Sequence, residues 1–314
     1  MNFAIIGTNF ISDSFAKAAG SIPDAKITAV LSRSADRGAL FAAKYSIPKV
    51  YTELGQMLSD REIEAVYIAS PNLCHSQQAI ACLKAGRHVL CEKVIAHSHD
   101  AFLEMRRAAE ESGCILLEAM RPDFDPAFDI IKSALPRLGR LRRAALEYCQ
   151  YSSRYDSFLG GEVLNAFNPE MKNSALADIG IYPLHLCVRL FGEPKAAVSR
   201  SVRLHNGFQG MGIMLLDYGD MLASISYSKI TESVNPSVIE GELGSLTVNR
   251  INAPKKITLK LRGEAEEILP YEPCDNNMVY EISAFMDMVR GNTSPKEYLD
   301  ASEICTRLVD GALA

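Results

Sequence analysis

The sequence predicts an α/β protein in two parts: a doubly wound parallel sheet first, then an α+β domain built on an antiparallel or mixed sheet. Three observations predict this. Up to residue 121, short and almost wholly apolar runs alternate with segments of helical spacing, the signature of a parallel sheet covered on both faces. Beyond it, longer segments with period-two alternation follow one another without helices between them, which suggests an antiparallel or mixed sheet. The 314 residues also exceed a typical domain of roughly 100–200. The boundary is expected near residue 122, giving domains 1–122 and 123–314.

The elements follow in order. "FAIIG" (3–7) is a compact first strand, followed by an amphipathic helix over 12–19. "KITAVLS" (26–32) is the second strand, and helical spacing resumes over 35–45. "VYT" (50–52) is a brief third strand, with a short helix after it capped by Thr52. "EAVYIAS" (64–70), "HVLCEK" (88–93) and "CILLEAM" (114–120) are further strands. The helices "SQQAIACLKAG" (76–86) and "SHDAFLEMRRAAEESG" (98–113) separate them. Right-handed crossovers then favour the doubly wound order. In the second part, a helix over 126–135 precedes strands expected near 141–152, 196–204, 211–219, 221–229, 237–242, 244–250 and 255–263. One helix interrupts these strands near 178–190, and two more, over 278–291 and 298–314, close the chain within the second domain.

Composition narrows the function classes. Hydrophobic residues are 48%, charged residues 23%, and the net charge is −5. That balance argues against a nucleic-acid surface, which needs clustered cations to replace phosphate counterions. The local run Arg137, Arg140, Arg142, Arg143 reads as a solvated face. No apolar run reaches the roughly 20 residues of a membrane span. Met1 to Gly7 reads as a strand rather than a leader. Eight scattered cysteines without C-x-x-C spacing suggest free thiols in a reducing cytoplasm, with no metal site.

The turn after the first strand carries the first chemical signal. A Rossmann turn uses G-x-G-x-x-G to turn tightly and bring a pyrophosphate onto helix N–H groups. Here "GTNFIS" keeps only Gly7. Asn9, which tolerates positive φ, and the small Ser12 take the other two glycine positions. Gly7, Thr8, Asn9, Phe10 and Ile11 are the candidate pyrophosphate contacts. The end of the second strand selects the cofactor. "LSRSADR" has no acid there to bind a ribose 2′-hydroxyl, but offers Ser32, Arg33, Ser34 and Arg37. A guanidinium holds a 2′-phosphate bidentately, so NADP is preferred over NAD. The bland alternative for Arg33 is a solvated loop residue.

Two longer segments, "SPNLCHSQQAIACLKAGRHVLCEK" (70–93) and "ALADIGIYPLHLCVRLFGEP" (175–194), resemble the Gfo/Idh/MocA oxidoreductases. The likeness spans essentially the whole chain. It implies an N-terminal Rossmann domain and a C-terminal α+β domain whose large, open, mostly antiparallel sheet mediates oligomerisation, hence a homodimer or homotetramer. It also implies hydride transfer between NAD(P) and the carbinol carbon of a sugar, polyol or related compound. By position, Ser70, Pro71, Asn72 and His75 are implied to line the cofactor. Glu92 and Lys93 match the family's Glu-Lys-Pro motif, whose lysine is the acid/base candidate. A strand-end lysine points into the ligand crevice of such a sheet. Val94 replaces the motif proline, whose peptide is commonly cis, so this bond is either cis or trans with Lys93 aimed differently.

Asp178, Tyr182 and His185 match the family's Asp-x-Gly-x-His/Tyr helix. Their i, i+4, i+7 spacing places them on one helical face. The resemblance implies that Asp178 orients substrate and Tyr182 donates to its oxygen, with His185 as a third group. Standing alone, Asp178 would read as an N-cap and the other two as core residues. Gly180 is expected to allow close approach of substrate or nicotinamide, and Pro183 to lie in the first helical turn. Arg121 is a candidate cofactor contact, or else a salt-bridge partner of Asp123 or Asp125. Tyr151, Arg154 and Tyr155 are weaker substrate candidates. The leading reading is an NAD(P)-dependent dehydrogenase or reductase acting on CH–OH groups of a small-molecule substrate. Its rival is a cofactor-binding regulator that has lost the chemistry.

Overall fold

The structure is a computed structural model and describes residues 1–313. The chain divides into two compact units. One comprises residues 1–120 and 276–306, and the other comprises 121–275 and the chain from Arg307.

In the first unit the elements are β1 (Asn2–Ile6), α1 (Phe10–Ala19), β2 (Lys26–Leu31), α2 (Ala35–Tyr45), β3 (Lys49–Tyr51) and α3 (Leu54–Leu58). Then come β4 (Ala65–Ile68), α4 (Asn72–Lys84), β5 (His88–Glu92), α5 (His99–Ser112) and β6 (Leu116–Ala119). The sheet order is β3-β2-β1-β4-β5-β6. Every neighbouring pair is parallel. This is the doubly wound order, with the chain reversing direction across the sheet between β1 and β4, where such folds bind their ligands. Phe3, Ala4 and Ile5 of β1, Val66, Tyr67 and Ile68 of β4, and Val89, Leu90 and Cys91 of β5 are all 0% exposed. Strands buried on both faces explain the apolar runs of the sequence.

Helix ends follow local chemistry. Asn9, Ser34 and Ser98 cap α1, α2 and α5 through their side chains, and Gly113 ends α5 in the left-handed region. Thr52 does not cap α3: Glu53 takes that position and makes no side-chain capping bond.

The second unit begins with a 3-10 turn at Arg121–Asp123, then α6 (Pro126–Ala134), β7 (Leu141–Cys149) and α7 (Tyr155–Leu159). A π turn at Leu176–Gly180 runs directly into α8 (Ile181–Phe191). Pro183 therefore lies inside a continuous helix, not in its first turn. A proline cannot donate to the carbonyl four residues back, and the wider π turn precedes that missing bond. Next come β8 (Ala196–Arg203), β9 (Gln209–Asp217), β10 (Leu222–Ser228), β11 (Ser237–Gly241), β12 (Gly244–Asn249), β13 (Lys256–Leu261) and β14 (Glu266–Ile268). The sheet order is β14-β13-β12-β11-β7-β10-β9-β8. All pairings are antiparallel except β7 with β10. The short, acidic, fully exposed β14 lacks the apolar alternation that marks the other strands.

The chain ends with α9 (Met278–Val289) and α10 (Lys296–Leu313). The sequence assigns both helices to the second domain, but α9 and α10 as far as Thr306 belong to the first unit. Phe285 of α9 packs its ring 6.1 Å from that of Phe3 in β1. Arg106 of α5 pairs with Asp300 at 3.0 Å and Glu303 at 2.6 Å. Helical periodicity shows that an apolar face exists but not which sheet it covers.

The basic run of the second unit is a paired surface. Arg137, Arg142 and Arg143 hold Glu267, Glu242 and Glu240 at 2.6–2.8 Å, and Arg140 holds Asp220. All eight cysteines are free thiols. Among the described residues no helix is long and apolar enough to cross a membrane, and no group of three or more His, Cys, Asp and Glu could hold a metal ion.

Candidate active site

In the first unit, the turn between β1 and α1 requires a glycine. Gly7 sits at φ +110°, and a Cβ there would lie 2.7 Å from the Ala69 carbonyl oxygen. Thr8 and Ile11 are half-buried, and Phe10 is 64% exposed. Asn9 does not use positive φ. Its backbone is extended at φ −94°, and it acts as the cap of α1. Its Oδ1 accepts from the Ile11 and Ser12 amides at 3.0 and 3.2 Å, while its Nδ2 donates to Ala69 O at 2.8 Å. Asn9 therefore joins the ends of β1 and β4.

At the end of β2, Ser32 is buried, and its hydroxyl accepts from the Ser34 amide at 3.3 Å. Ser34 caps α2 by accepting from the Arg37 amide. Arg33 and Arg37 are exposed. A cradle that only glycine fits, with exposed guanidinium groups after β2, fits a dinucleotide bearing a 2′-phosphate.

At the end of β4, Pro71 and Asn72 start α4, and the Ser70 hydroxyl bonds Gln78 Oε1 at 2.6 Å. His75 is buried rather than on the surface. It is 1% exposed, with Nδ1 2.9 Å from Val94 O and Nε2 2.9 Å from Ser70 O. Burial pushes its pKa below the ordinary value, against the pull of the two carbonyls. A neutral ring can donate to only one of them. Either way, His75 ties the turn after β4 to the segment after β5.

That segment carries Lys93, which is half-buried, and the Lys93–Val94 peptide is cis. Glu92 is buried; its Oε1 accepts from the Tyr67 hydroxyl at 2.5 Å and its Oε2 from the Lys93 amide at 3.3 Å. Glu118 of β6 accepts from the Ile95 amide at 3.0 Å. The bonds of Glu118 and Tyr67 to this segment were not legible, although Glu118 is the one carboxylate in the apolar run "CILLEAM".

In the second unit, Arg121 is half-buried and opens the 3-10 turn. Asp123 is committed to other partners: His185 Nδ1 lies 2.9 Å and Arg189 Nε 3.3 Å from its Oδ2. Asp125 caps α6 and accepts from the Tyr271 hydroxyl at 2.7 Å. His185 is 1% exposed and turned into this cluster. Asp178 instead meets Lys229 at 2.7 Å and keeps its side chain 31% exposed. The two residues therefore serve different partners despite their helical spacing. Tyr182, 7% exposed, packs edge-on against Tyr148 at 5.6 Å. The Tyr148 hydroxyl bonds Gln150 Oε1 at 2.9 Å and Asn252 Nδ2 at 3.1 Å.

Gly180 makes room for protein, not for a ligand: a Cβ there would lie 2.8 Å from the ring of Tyr227. Arg154 is exposed, Tyr151 bonds Asp156 at 2.7 Å, and Tyr155 stacks on Phe158 and Phe167. The second unit thus presents a carboxylate held by a lysine and a pair of phenols, a set suited to binding hydroxyl or carbonyl oxygen.

A family model described as "Oxidoreductase family, NAD-binding Rossmann fold" (GFO_IDH_MocA) matches residues 1–120. The scyllo-inositol 2-dehydrogenase (NADP(+)) IolU of Bacillus subtilis is 41% identical over 298 residues, covering 95% of this chain and 90% of its own. The uncharacterized oxidoreductase YgjR of Escherichia coli is 37% identical over 309 residues, covering 98% and 94%. KijD10, a 3-ketoreductase from Actinomadura kijaniata solved with NADP and TDP-benzene, superposes with a TM-score of 0.87 at 22% identity, covering 99% of this chain and 96% of its own. That last likeness shows a shared fold. With its doubly wound nucleotide sheet, its open second sheet and these near relatives along nearly its full length, the chain belongs to the Gfo/Idh/MocA family of NAD(P)-dependent oxidoreductases, which act on the CH–OH groups of polyols and sugars.

Proposed function

We propose that this chain is an NADP-preferring dehydrogenase of cyclic polyols of the inositol type. The observation that carries the cofactor preference is the end of β2, where no carboxylate stands and Arg33 and Arg37 are exposed. A carboxylate there would repel a 2′-phosphate, whereas guanidinium groups hold it. The name of the Bacillus subtilis relative supports both the cofactor and the substrate class.

The dinucleotide, when bound, supplies or accepts the hydride. Gly7, Thr8, Phe10 and Ile11 would hold its pyrophosphate, and Ser70, Pro71, Asn72, Glu92 and Arg121 would contact it further along. Lys93 moves the proton of the reacting hydroxyl. Asp178 accepts a hydrogen bond from the substrate, and Tyr182 donates one to its oxygen. His185 holds the helix from within through Asp123 rather than touching substrate. The eight free thiols suit a reducing cytoplasm.

We further assign a second copy of the chain to the outer face of the second sheet. Val198, Val202, Ile213 and Leu215 lie there 44–57% exposed, with Val198 paired directly to Leu215. A contiguous apolar face of this kind marks an interaction site. Leu215→Asp should shift light-scattering mass from dimer or tetramer towards monomer, and a wild-type monomer would remove the assignment.

Titration by thermal shift tests the cofactor, and NADPH absorbance with scyllo-inositol and NADP tests the reaction. NADP should stabilise the protein more than NAD. Arg33→Ala with Arg37→Ala should cost NADP affinity about tenfold or more, which is 1.4 kcal/mol, and leave NAD unchanged. Equal stabilisation by both dinucleotides would refute the preference. Cofactor binding without turnover across a polyol panel would favour the regulator reading.

A further inference from the structure

Lys229 follows β10 and is 4% exposed. A lysine this buried must have its charge compensated, because removing an ammonium from water is expensive. The compensation here comes from several directions. Asp178 Oδ2 lies 2.7 Å from its Nζ, and the Ala166 carbonyl oxygen lies 2.8 Å away. The rings of Phe167 and Phe208 lie 4.8 and 5.4 Å from the same nitrogen, within cation–π range. Ala166 and Phe167 belong to the 3-10 turn Asn165–Phe167, which lies on the segment between α7 and the π turn. One buried cation thus joins the half-buried Asp178 carboxylate to that turn.

We propose that Lys229 is a positioning residue of the reaction: it aims the Asp178 carboxylate and ties it to the Asn165–Phe167 turn, so that carboxylate and turn hold one arrangement. This rests on the reading that Asp178 binds substrate. Lys229 does not itself touch the reacting atoms; it keeps the acceptor in a fixed place. A lysine serving only as a buried structural pair would influence turnover through stability alone, independently of whether Asp178 can accept a bond.

A double-mutant cycle separates the two roles. Lys229→Met, Asp178→Asn and their combination are assayed with scyllo-inositol and NADP at a temperature where circular dichroism shows each variant folded. Lys229→Met should lower kcat/KM about 30-fold in the parent and less than about threefold in the Asp178→Asn background. KM for NADP should not change. Lys229→Arg, which keeps the charge between the rings, should retain more activity than Lys229→Met and replaces it in the cycle if Lys229→Met does not fold. Equal losses in both backgrounds, or no loss in the parent, would overturn the proposal.

A second readout needs no substrate. The Phe167 and Asn168 amides bond Leu164 O and Asn165 O within the turn. Their hydrogen exchange should quicken about tenfold in the folded Lys229 variant. Unchanged exchange would overturn the tie between lysine and turn. If the parent fails to oxidise scyllo-inositol, the polyol reading fails, while the exchange measurement still decides the role of Lys229.

Discussion

Replacing Asn9 should separate its contribution to stability from its effect on cofactor affinity. Its Oδ1 caps two amides of α1, and its Nδ2 bonds Ala69 O. Loss of such a cap costs about 1 kcal/mol, and the net worth of the second bond is also about 1 kcal/mol. Asn9→Ala should therefore destabilise by about 2 kcal/mol, on the order of 5 °C in Tm. Asn9→Gly restores the usual glycine. Since glycine caps nearly as well as asparagine, its cost should be about 1 kcal/mol, mostly the lost bond to Ala69. The same change releases the Ile11 and Ser12 amides for an anion, so NADP affinity should hold or improve. Asn9→Asp keeps the cap but adds a negative charge where the pyrophosphate is proposed to bind. Its Tm should fall by about 3 °C, as in Asn9→Gly, because a carboxylate cannot donate to Ala69 O, while NADP affinity falls about tenfold or more. Urea unfolding and calorimetric titration measure both quantities. An Asn9→Asp variant that binds NADP as the parent does, beside an Asn9→Gly variant that binds it worse, would refute the reasoning.

Gly180→Ala should cost about 1–3 kcal/mol by urea unfolding, because the new methyl meets the buried Tyr227 ring. Asp123→Asn should cost about 3 kcal/mol or more, since it leaves the buried Arg189 and His185 without their carboxylate. A loss below about 1 kcal/mol would show that the cluster is already compensated elsewhere. Stability should also fall on acidification. His88 Nδ1 accepts from the Ile115 amide at 2.9 Å, and burial lowers its pKa below 6.5, as it does for His75. Such groups bind a proton more readily when unfolded, so their contribution is present above about pH 6.5 and is lost as pH falls through the folded value. In His88→Gln, the loss of Tm between pH 7 and pH 5 should be smaller than in the parent.

The first sheet was readable because buried parallel strands leave near-continuous apolar runs, and all six were found within a few residues of their ends. The place of Lys93, directly after β5, was legible for the same reason: a strand end in such a sheet is a position in space as well as in sequence. Partners brought together by long-range folding were not legible. Nothing local in "MLASISYSK" signals that its lysine meets Asp178, 51 residues earlier. His75 could be placed beside the cofactor turn, but its two carbonyl partners emerge only once β4 and β5 lie side by side. Asn9 was misread because a glycine position in a motif suggests positive φ, whereas an asparagine can cap the helix from an extended backbone.

The division of the first unit has a consequence for synthesis. Its sheet is complete in sequence by residue 120, but the α9 helix that brings Phe285 onto Phe3 is translated only after the second unit, about 155 residues later. At roughly 5–20 residues per second, the ribosome needs on the order of 10–30 s to deliver it. Through that interval Phe3 has its contact with Phe15 of α1 but not the one with Phe285, so the order of translation, rather than the finished fold, sets when this part of the chain is most exposed to misassociation.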